Sequence, residues 1–366
     1  MKNIALIGSC GSIGRQVLKV VRAHPDKFKI VALVSNSPSA EFTRQVEEFK
    51  PEHSALASED REGALAAAEL DCVDLVFNAA SGFAGLEYSL CAVRAGKTVA
   101  LANKETLVCG SDIILPEISK CGGKIVPVDS EHSAIWQCLN FDCSKSVRRL
   151  IITASGGAFK GFTPEQLKNV TPEQALNHPT WKMGKKITVD SSTLMNKGYE
   201  VIEAHALYGT PYSRIQTVIQ PQSIVHSMVE FEDGAILAQL SYPTMELPIQ
   251  IALTYPERYS CGVELMDFSK AFSLGFEPLE RKRYPLFDLA LRCGEAGGTL
   301  PCAMNAADEV AVNAFLNKKL AFTDIFTVVD GVISATEREK VTSFEQLAEV
   351  DKTARQLADK IIKSLK

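Results

Sequence analysis

No apolar run in this 366-residue chain reaches the roughly 18 residues that a membrane-spanning helix needs, so no helical membrane span is expected. A strand-like run begins already at Lys2, leaving no room for a cleavable leader, and a cytoplasmic location is the expectation. Neither sign of charge dominates. Thirty-nine Lys and Arg against 44 Asp and Glu give a net charge of -5, which offers no global attraction to nucleic acid or to an anionic membrane. Any anion site must therefore be local. Ten cysteines fall at irregular spacings with no C-x-x-C pair, Cys138 and Cys143 being the closest, and they read as reduced thiols rather than as disulfide staples. What is present is core material: 46% hydrophobic and 23% charged residues support two or three packed domains and exclude disorder, collagen and coiled coil as overall descriptions.

Residues 1–128 alternate short apolar runs with helix-period segments, the pattern of an α/β domain with a Rossmann-like, doubly wound parallel sheet. Strands are predicted at Asn3 to Ile7, Lys29 to Val34, Asp74 to Asn78, Lys97 to Leu101 and Lys124 to Val128, with crossover helices such as Gly11 to Ala23 and Phe83 to Arg94. Residues 129–256 change texture towards an α+β catalytic domain, with strands predicted at Arg149 to Thr153, Lys186 to Asp190, Thr217 to Gln220, Ile224 to Glu230 and Ile236 to Ser241. An irregular linker, 257–285, leads into a C-terminal α-helical domain, 286–366. Its last helix places Ala354, Leu357, Ala358, Ile361, Ile362 and Leu365 on one face, after an earlier helix capped by Ser343 and Gln346. The two Thr-Pro-Glu-Gln copies at Thr163 and Thr171 are capping boxes that start short helices.

Gly8-Ser9-Cys10-Gly11-Ser12-Ile13-Gly14 follows the first strand and opens a helix, where backbone N–H groups and the positive helix end can hold a pyrophosphate; the alternative is a tight structural turn. Ser35, Asn36 and Ser37 follow the second strand without the Asp or Glu that holds the ribose of NAD, which favours NADP, with Arg15 or Arg44 as sources of positive charge. Asp129 and Glu131 follow the fifth predicted strand, and Asn196, Lys197 and Glu200 share a helix face. Carboxylates without Cys or paired His suit a hard ion such as Mg2+ or Mn2+; the other reading is helix caps and surface ion pairs. Ala154-Ser155-Gly156-Gly157, with Ser191, Ser192, Asn196 and Lys197, could cradle a phosphate or be a plain turn. His178 to Gly184 carries one of the two Trp residues and reads as a lid or a packed loop; His226 alone reads as a core histidine. Lys104, between Asn103 and Glu105 at the carboxyl end of a strand, reads as a cofactor or substrate contact or a solvated cap.

The segments GSCGSIG from Gly8, LANKE ending at Glu105, PVDSEH from Pro127, ASGGAF from Ala154, HPTWKMGKKITVDSS from His178, MNKGYEVIEA from Met195, PQSIVHSM from Pro221 and MNAADE from Met304 occur in this order along nearly the whole chain. On these residues the sequence resembles the 1-deoxy-D-xylulose 5-phosphate reductoisomerases. The resemblance implies NADPH- and divalent-metal-dependent isomerisation and reduction of that sugar phosphate to 2-C-methyl-D-erythritol 4-phosphate, in a cytoplasmic homodimer without nucleic-acid or membrane partners. It implies Asp129, Glu131 and Glu200 as ligands of one Mg2+ or Mn2+. It implies Ser155, Ser191, Asn196 and Lys197 on the substrate phosphate and hydroxyls, with Ser130, Glu131, His178, Glu200, Ser223 and His226 as further substrate contacts. Lys104, Glu131, His178, Trp181, Met183 and His226 are the implied catalytic set, Trp181 and Met183 belonging to a flap. Gly8, Ser9, Cys10, Gly11, Ser12, Ile13, Ser35, Asn36, Ser37, Asn103, Lys104, Glu105 and Gly184 are the implied cofactor contacts. Two positions depart from the family pattern: Asn36 stands where Lys or Arg is frequent, and Gln220 where His is frequent. The rival readings are another Rossmann oxidoreductase of the homoserine or semialdehyde dehydrogenase type, and a non-catalytic dinucleotide sensor.

Overall fold

The computed structural model describes residues 1–142 and 146–365; Cys143 lies outside them, and the nine described cysteines are free thiols. The chain forms two compact units. The first comprises Met1–Thr106, Ser111–Ser133 and Thr244–Val263, and the second Leu107–Gly110, Ala134–Pro243 and Glu264–Lys366.

In the first unit six strands, β1 (Lys2–Ile7), β2 (Phe28–Ser35), β3 (His53–Leu56), β4 (Leu75–Asn78), β5 (Thr98–Leu101) and β6 (Lys124–Pro127), form one parallel sheet in the order β3-β2-β1-β4-β5-β6. This is the doubly wound arrangement, with its topological switch between β1 and β4, where ligands seat beyond the carboxyl ends of the strands. Near-continuous burial of Ile4, Leu6, Leu33, Phe77 and Leu101 explains why these strands appear in the sequence as uninterrupted apolar runs. Thr244–Val263 packs with this unit, whereas the sequence ranges place 244–256 with residues 129–256 and 257–263 in the linker. Its helix Glu246–Thr254 lies against the helix Ser12–Ala23: Lys19 pairs with Glu246 at 2.6 Å and His24 bonds Gln250 at 3.1 Å.

In the second unit β7 (Val147–Ala154), β8 (Ile215–Ile219), β9 (Val225–Phe231), β10 (Ile236–Leu240) and β11 (Glu277–Pro278) form a mixed sheet in the order β10-β9-β7-β8-β11. Leu150, Ile152, Ile219 and Val229 on it pack with Val201 and Phe287 in one core. The predicted strand Lys186 to Asp190 is instead the start of a helix, Lys185–Thr193. Its Ile-Thr-Val run favours a strand locally, but Lys186 and Asp190 close an i,i+4 ion pair at 2.5 Å, and burial of Thr188 to Thr193 overrides propensity. Four long helices, Pro285–Ala296, Leu300–Leu316, Asp324–Ala335 and Phe344–Ser364, complete the unit. Ser343 caps the last of these directly, so the two terminal helices read from the sequence are one, burying Leu347, Ala354, Ala358 and Ile362. Both Thr-Pro-Glu-Gln segments form capping boxes. No described helix is long and apolar enough to cross a membrane.

Candidate functional site

In the first unit Gly8 N and Ser9 N donate to Val34 O at 2.8 and 3.0 Å, and Gly11 N to Gly8 O at 3.0 Å, folding the turn tightly beyond β1. Gly8 has φ +80, and no side chain caps the helix that begins at Ser12, so its first N–H groups face a turn built only of backbone and small residues. Ser35 is the buried end of β2, while Asn36 and Ser37 lie exposed beyond it, with Asn36 Nδ2 donating to Ser37 Oγ at 3.1 Å. Arg15 donates to Cys10 O and Arg44 pairs with Glu41, each at 2.5 Å.

Asn103 is a structural anchor as well as a candidate contact. Its Oδ1 accepts from Thr106 N at 3.1 Å and Thr106 Oγ1 at 2.6 Å, and its Nδ2 donates to Glu105 Oε2 at 2.8 Å and Gly82 O at 3.0 Å. This fixes the start of the helix Glu105–Cys121 and aims the neighbouring Lys104 at the next strand end, where its Nζ meets Asp129 Oδ2 at 2.6 Å. Asp129 Oδ1 accepts from Ser130 N at 2.9 Å, and Ser130 Oγ donates to Glu131 Oε2 at 2.5 Å. Lys104, Asp129, Ser130 and Glu131 thus form one hydrogen-bonded group at the carboxyl edge of the sheet.

In the second unit His178 organises the loop that follows β7. Its Nδ1 accepts from Thr180 N at 3.2 Å and Trp181 N at 3.0 Å, so the proton resides on Nε2, which lies 3.0 Å from Ser155 Oγ and 3.1 Å from Ser191 Oγ. Burial lowers the pKa of His178 and favours the neutral ring. Two serines and one imidazole N–H therefore face each other, a set of donors suited to phosphate oxygens. Trp181 packs edge-on against His226 with ring centroids 5.9 Å apart, and His226 Nε2 donates to Ser241 O at 3.1 Å. Thr180 Oγ1 meets Ser223 Oγ at 3.0 Å. Met183 is half-buried, and Gly184 is the exposed residue that precedes the helix Lys185–Thr193. On the helix Met195–Tyr208, Asn196 Nδ2 donates to Glu200 Oε1 at 2.5 Å and buried Lys197 pairs with Glu200 Oε2.

Thr180 and Ser241 were not singled out in the sequence. Thr180 lies inside the His-Pro-Thr-Trp segment, which could have flagged it, whereas Ser241 carries no local signal. Gln220 is fully buried, its Oε1 accepting from Ile224 N at 2.9 Å and its backbone N donating to Ala154 O at 2.7 Å. It ties the loop carrying Ser223 to the end of β7.

The glycine turn at the sheet's switch point, with acids and donors at strand ends, defines a nicotinamide-dinucleotide oxidoreductase of the doubly wound class. Comparison with known proteins makes the assignment particular. The family model for 1-deoxy-D-xylulose 5-phosphate reductoisomerase matches residues 4–69 and 57–111, and two models of the C-terminal domains of that enzyme match 125–208 and 240–357. A 1-deoxy-D-xylulose 5-phosphate reductoisomerase of Pelotomaculum thermopropionicum is 45% identical over 385 residues, covering 100% of both chains. One from Chlorobaculum tepidum is 45% identical over 381 residues, covering 99% of this chain and 100% of the relative. A crystal structure of DOX-P reductoisomerase in complex with NADPH, fosmidomycin and magnesium superposes with a TM-score of 0.95 at 36% identity, covering 100% of this chain and 99% of that one. The enzyme from Zymomonas mobilis in complex with NADPH gives 0.89 at 35% identity, covering 99% of each. The chain belongs to the 1-deoxy-D-xylulose 5-phosphate reductoisomerase family.

Proposed function

We propose that this chain converts 1-deoxy-D-xylulose 5-phosphate to 2-C-methyl-D-erythritol 4-phosphate in non-mevalonate isoprenoid biosynthesis, using NADPH and a divalent cation, Mg2+ or Mn2+. The observation that carries this reading is identity of 45% running through 100% of both this chain and its relative. The glycine turn, closed to an added side chain at Gly8 and Gly14, suits the pyrophosphate of a dinucleotide. Asp129, Glu131 and Glu200 offer only carboxylate oxygens, the ligand type that a hard cation takes. When bound, the cation supplies Lewis-acid stabilisation of negative charge developing on the substrate's carbonyl and hydroxyl oxygens, and NADPH supplies the hydride.

The chain's own groups bind, orient and shield. Ser155, Ser191, Asn196 and Lys197 hold the phosphate, and His178, neutral and donating from Nε2, completes that set. Lys104, already paired with Asp129, presents its ammonium to substrate hydroxyls and nicotinamide alike, beside Asn103 and Glu105. Ser130, Ser223 and His226 contact the sugar, while Trp181 and Met183 cover it and exclude water. Phosphate binding remote from the reacting carbons can hold this cover closed. Gly8 to Ile13 seat the pyrophosphate, Ser35, Asn36 and Ser37 the adenosine ribose, and Gly184 the nicotinamide side. The test is NADPH oxidation with 1-deoxy-D-xylulose 5-phosphate, with and without Mg2+ or Mn2+. Turnover that EDTA removes and either cation restores is expected; absence of turnover with this sugar phosphate under all conditions would overturn the reading.

A second copy of the chain is the partner we propose. Strand β10 ends its sheet and exposes Ile236 and Leu237 at 50% each, an apolar edge that antiparallel self-pairing about a two-fold axis would cover. Sedimentation equilibrium should give twice 39.8 kDa, and Leu237→Lys should shift it towards the single-chain mass; a wild-type monomer at micromolar concentration contradicts the assignment. The nine free thiols accord with a reducing compartment, the cytosol.

A further inference from the structure

The helix Leu300–Leu316 carries a fully buried acid, Asp308, that is not among the groups assigned above to substrate, cofactor or cation. Asp308 Oδ2 meets Lys186 Nζ at 2.8 Å and accepts from the Tyr199 hydroxyl at 3.3 Å. Lys186 belongs to the helix Lys185–Thr193 and Tyr199 to the helix Met195–Tyr208, so one carboxylate oxygen joins a side chain from each. Lys186 Nζ also bonds Asp190 at 2.5 Å and lies 4.9 Å from the centre of the Tyr199 ring, closing a four-membered cluster across three helices.

We propose that Asp308 is a positioning residue that fixes these two helices against each other, and thereby the groups they present to the sugar phosphate, through Lys186 and Tyr199. The inference rests on the reading above, in which Ser191, Asn196, Lys197 and Glu200 hold substrate and cation. The chain neighbours make the connection direct: Asp190 precedes Ser191, and Tyr199 precedes Glu200 and lies two residues after Lys197. Successive helical residues point about 100° apart, so a clamp on Asp190 and Tyr199 orients the adjacent side chains without touching what they bind. Two buried acids sharing one ammonium make poor stabilisers, because the cost of desolvating charges in a core offsets most of their attraction. Their value is the single arrangement they enforce. Ligand-holding groups lose effect steeply when they move by about 1 Å.

The test is steady-state kinetics with a parallel NADPH fluorescence titration. Asp308→Leu should raise the KM for the sugar phosphate about tenfold while kcat falls less than about threefold and the NADPH Kd is unchanged. Asp308→Asn keeps an oxygen that accepts from both Lys186 and Tyr199 and should return KM to within about twofold of wild type. Tyr199→Phe removes one hydroxyl, should raise KM about threefold alone, and should add nothing on top of Asp308→Leu, as coupled residues do. If Asp308→Leu does not fold, Tyr199→Phe decides, and an unchanged KM overturns the proposal. So does a loss of NADPH binding in step with substrate binding, which marks general destabilisation. Ser191→Ala, assayed beside them, separates the two levels: an unchanged KM there defeats the site reading itself, whereas a raised KM there with Asp308→Leu and Tyr199→Phe silent defeats only the positioning role.

Discussion

Glu200→Gln should lower kcat by roughly three orders of magnitude while leaving the NADPH Kd within about twofold of wild type. The substitution changes charge and little else. Glu200 is buried, its Oε1 held by Asn196 and its Oε2 by Lys197, so a glutamine there keeps the volume and one accepting oxygen but presents an amide N–H2 to the Lys197 ammonium. Two donors then face each other, and the proposed cation loses one of three anionic ligands. Preorganised electrostatic groups are worth about 10²–10³ in rate each, and a cation several kcal/mol, so the combined loss belongs at the upper end of that range. NADPH affinity is spared because the glycine turn, Ser35 and Asn36 lie in the other unit. Mn2+ binding followed by electron paramagnetic resonance gives a readout independent of turnover: it should weaken at least about tenfold. A fully active variant with normal Mn2+ affinity would remove Glu200 from the ligand set.

The parts of this molecule legible in its sequence are those where one local pattern coincides with one environment. Strands β1, β2, β4 and β5 are largely buried, so each is an apolar run, and their observed ends, like those of the edge strand β6, fall within a residue or so of the expected ones. Strand β3, His53–Leu56, escaped because it is four residues long at the sheet edge and buries only Ala55 fully. The helix Lys185–Thr193 was misread because its β-branched residues pack helically against neighbours that no local window contains. The same division runs through the site. Acids and donors clustered in short motifs, such as Asp129 with Glu131 or Asn196 with Glu200, were visible as chemistry. The partners that orient them were not: Ser223 meets Thr180 across 43 residues, and Lys186 meets Asp308 from another helix altogether. Spacing also gave no hint that Asn103 anchors a helix start, since an Asn two residues before an acid looks the same whether it faces a ligand or its own backbone.

The glycine turn proposed to seat the cofactor admits an equally sharp experiment, because its requirement is steric. A Cβ on Gly14 would lie 2.3 Å from Gly8 O and 2.6 Å from Ser9 O, and all of these are main-chain atoms of a turn whose hydrogen bonds to Val34 leave it no freedom to withdraw. Gly14→Ala must therefore push the helix Ser12–Ala23 away from β1, spreading the N–H groups that would face the pyrophosphate. Overpacking of this kind costs about 1–3 kcal/mol in a core, and here the strain falls on the binding groups themselves, so NADPH affinity should drop about 100-fold. Gly11 supplies the contrast. It has φ -70, and a Cβ there meets only Gly8 O at 3.2 Å, a contact that a few tenths of an ångström relieve, so Gly11→Ala should cost about three- to tenfold. Fluorescence titration of NADPH against both variants, with thermal melts to show that each is folded, reads the order directly. Equal effects would indicate that side-chain bulk in the turn matters in some general way. An unchanged Kd in folded Gly14→Ala would place the dinucleotide elsewhere on the sheet edge, and with it the hydride that the reduction requires.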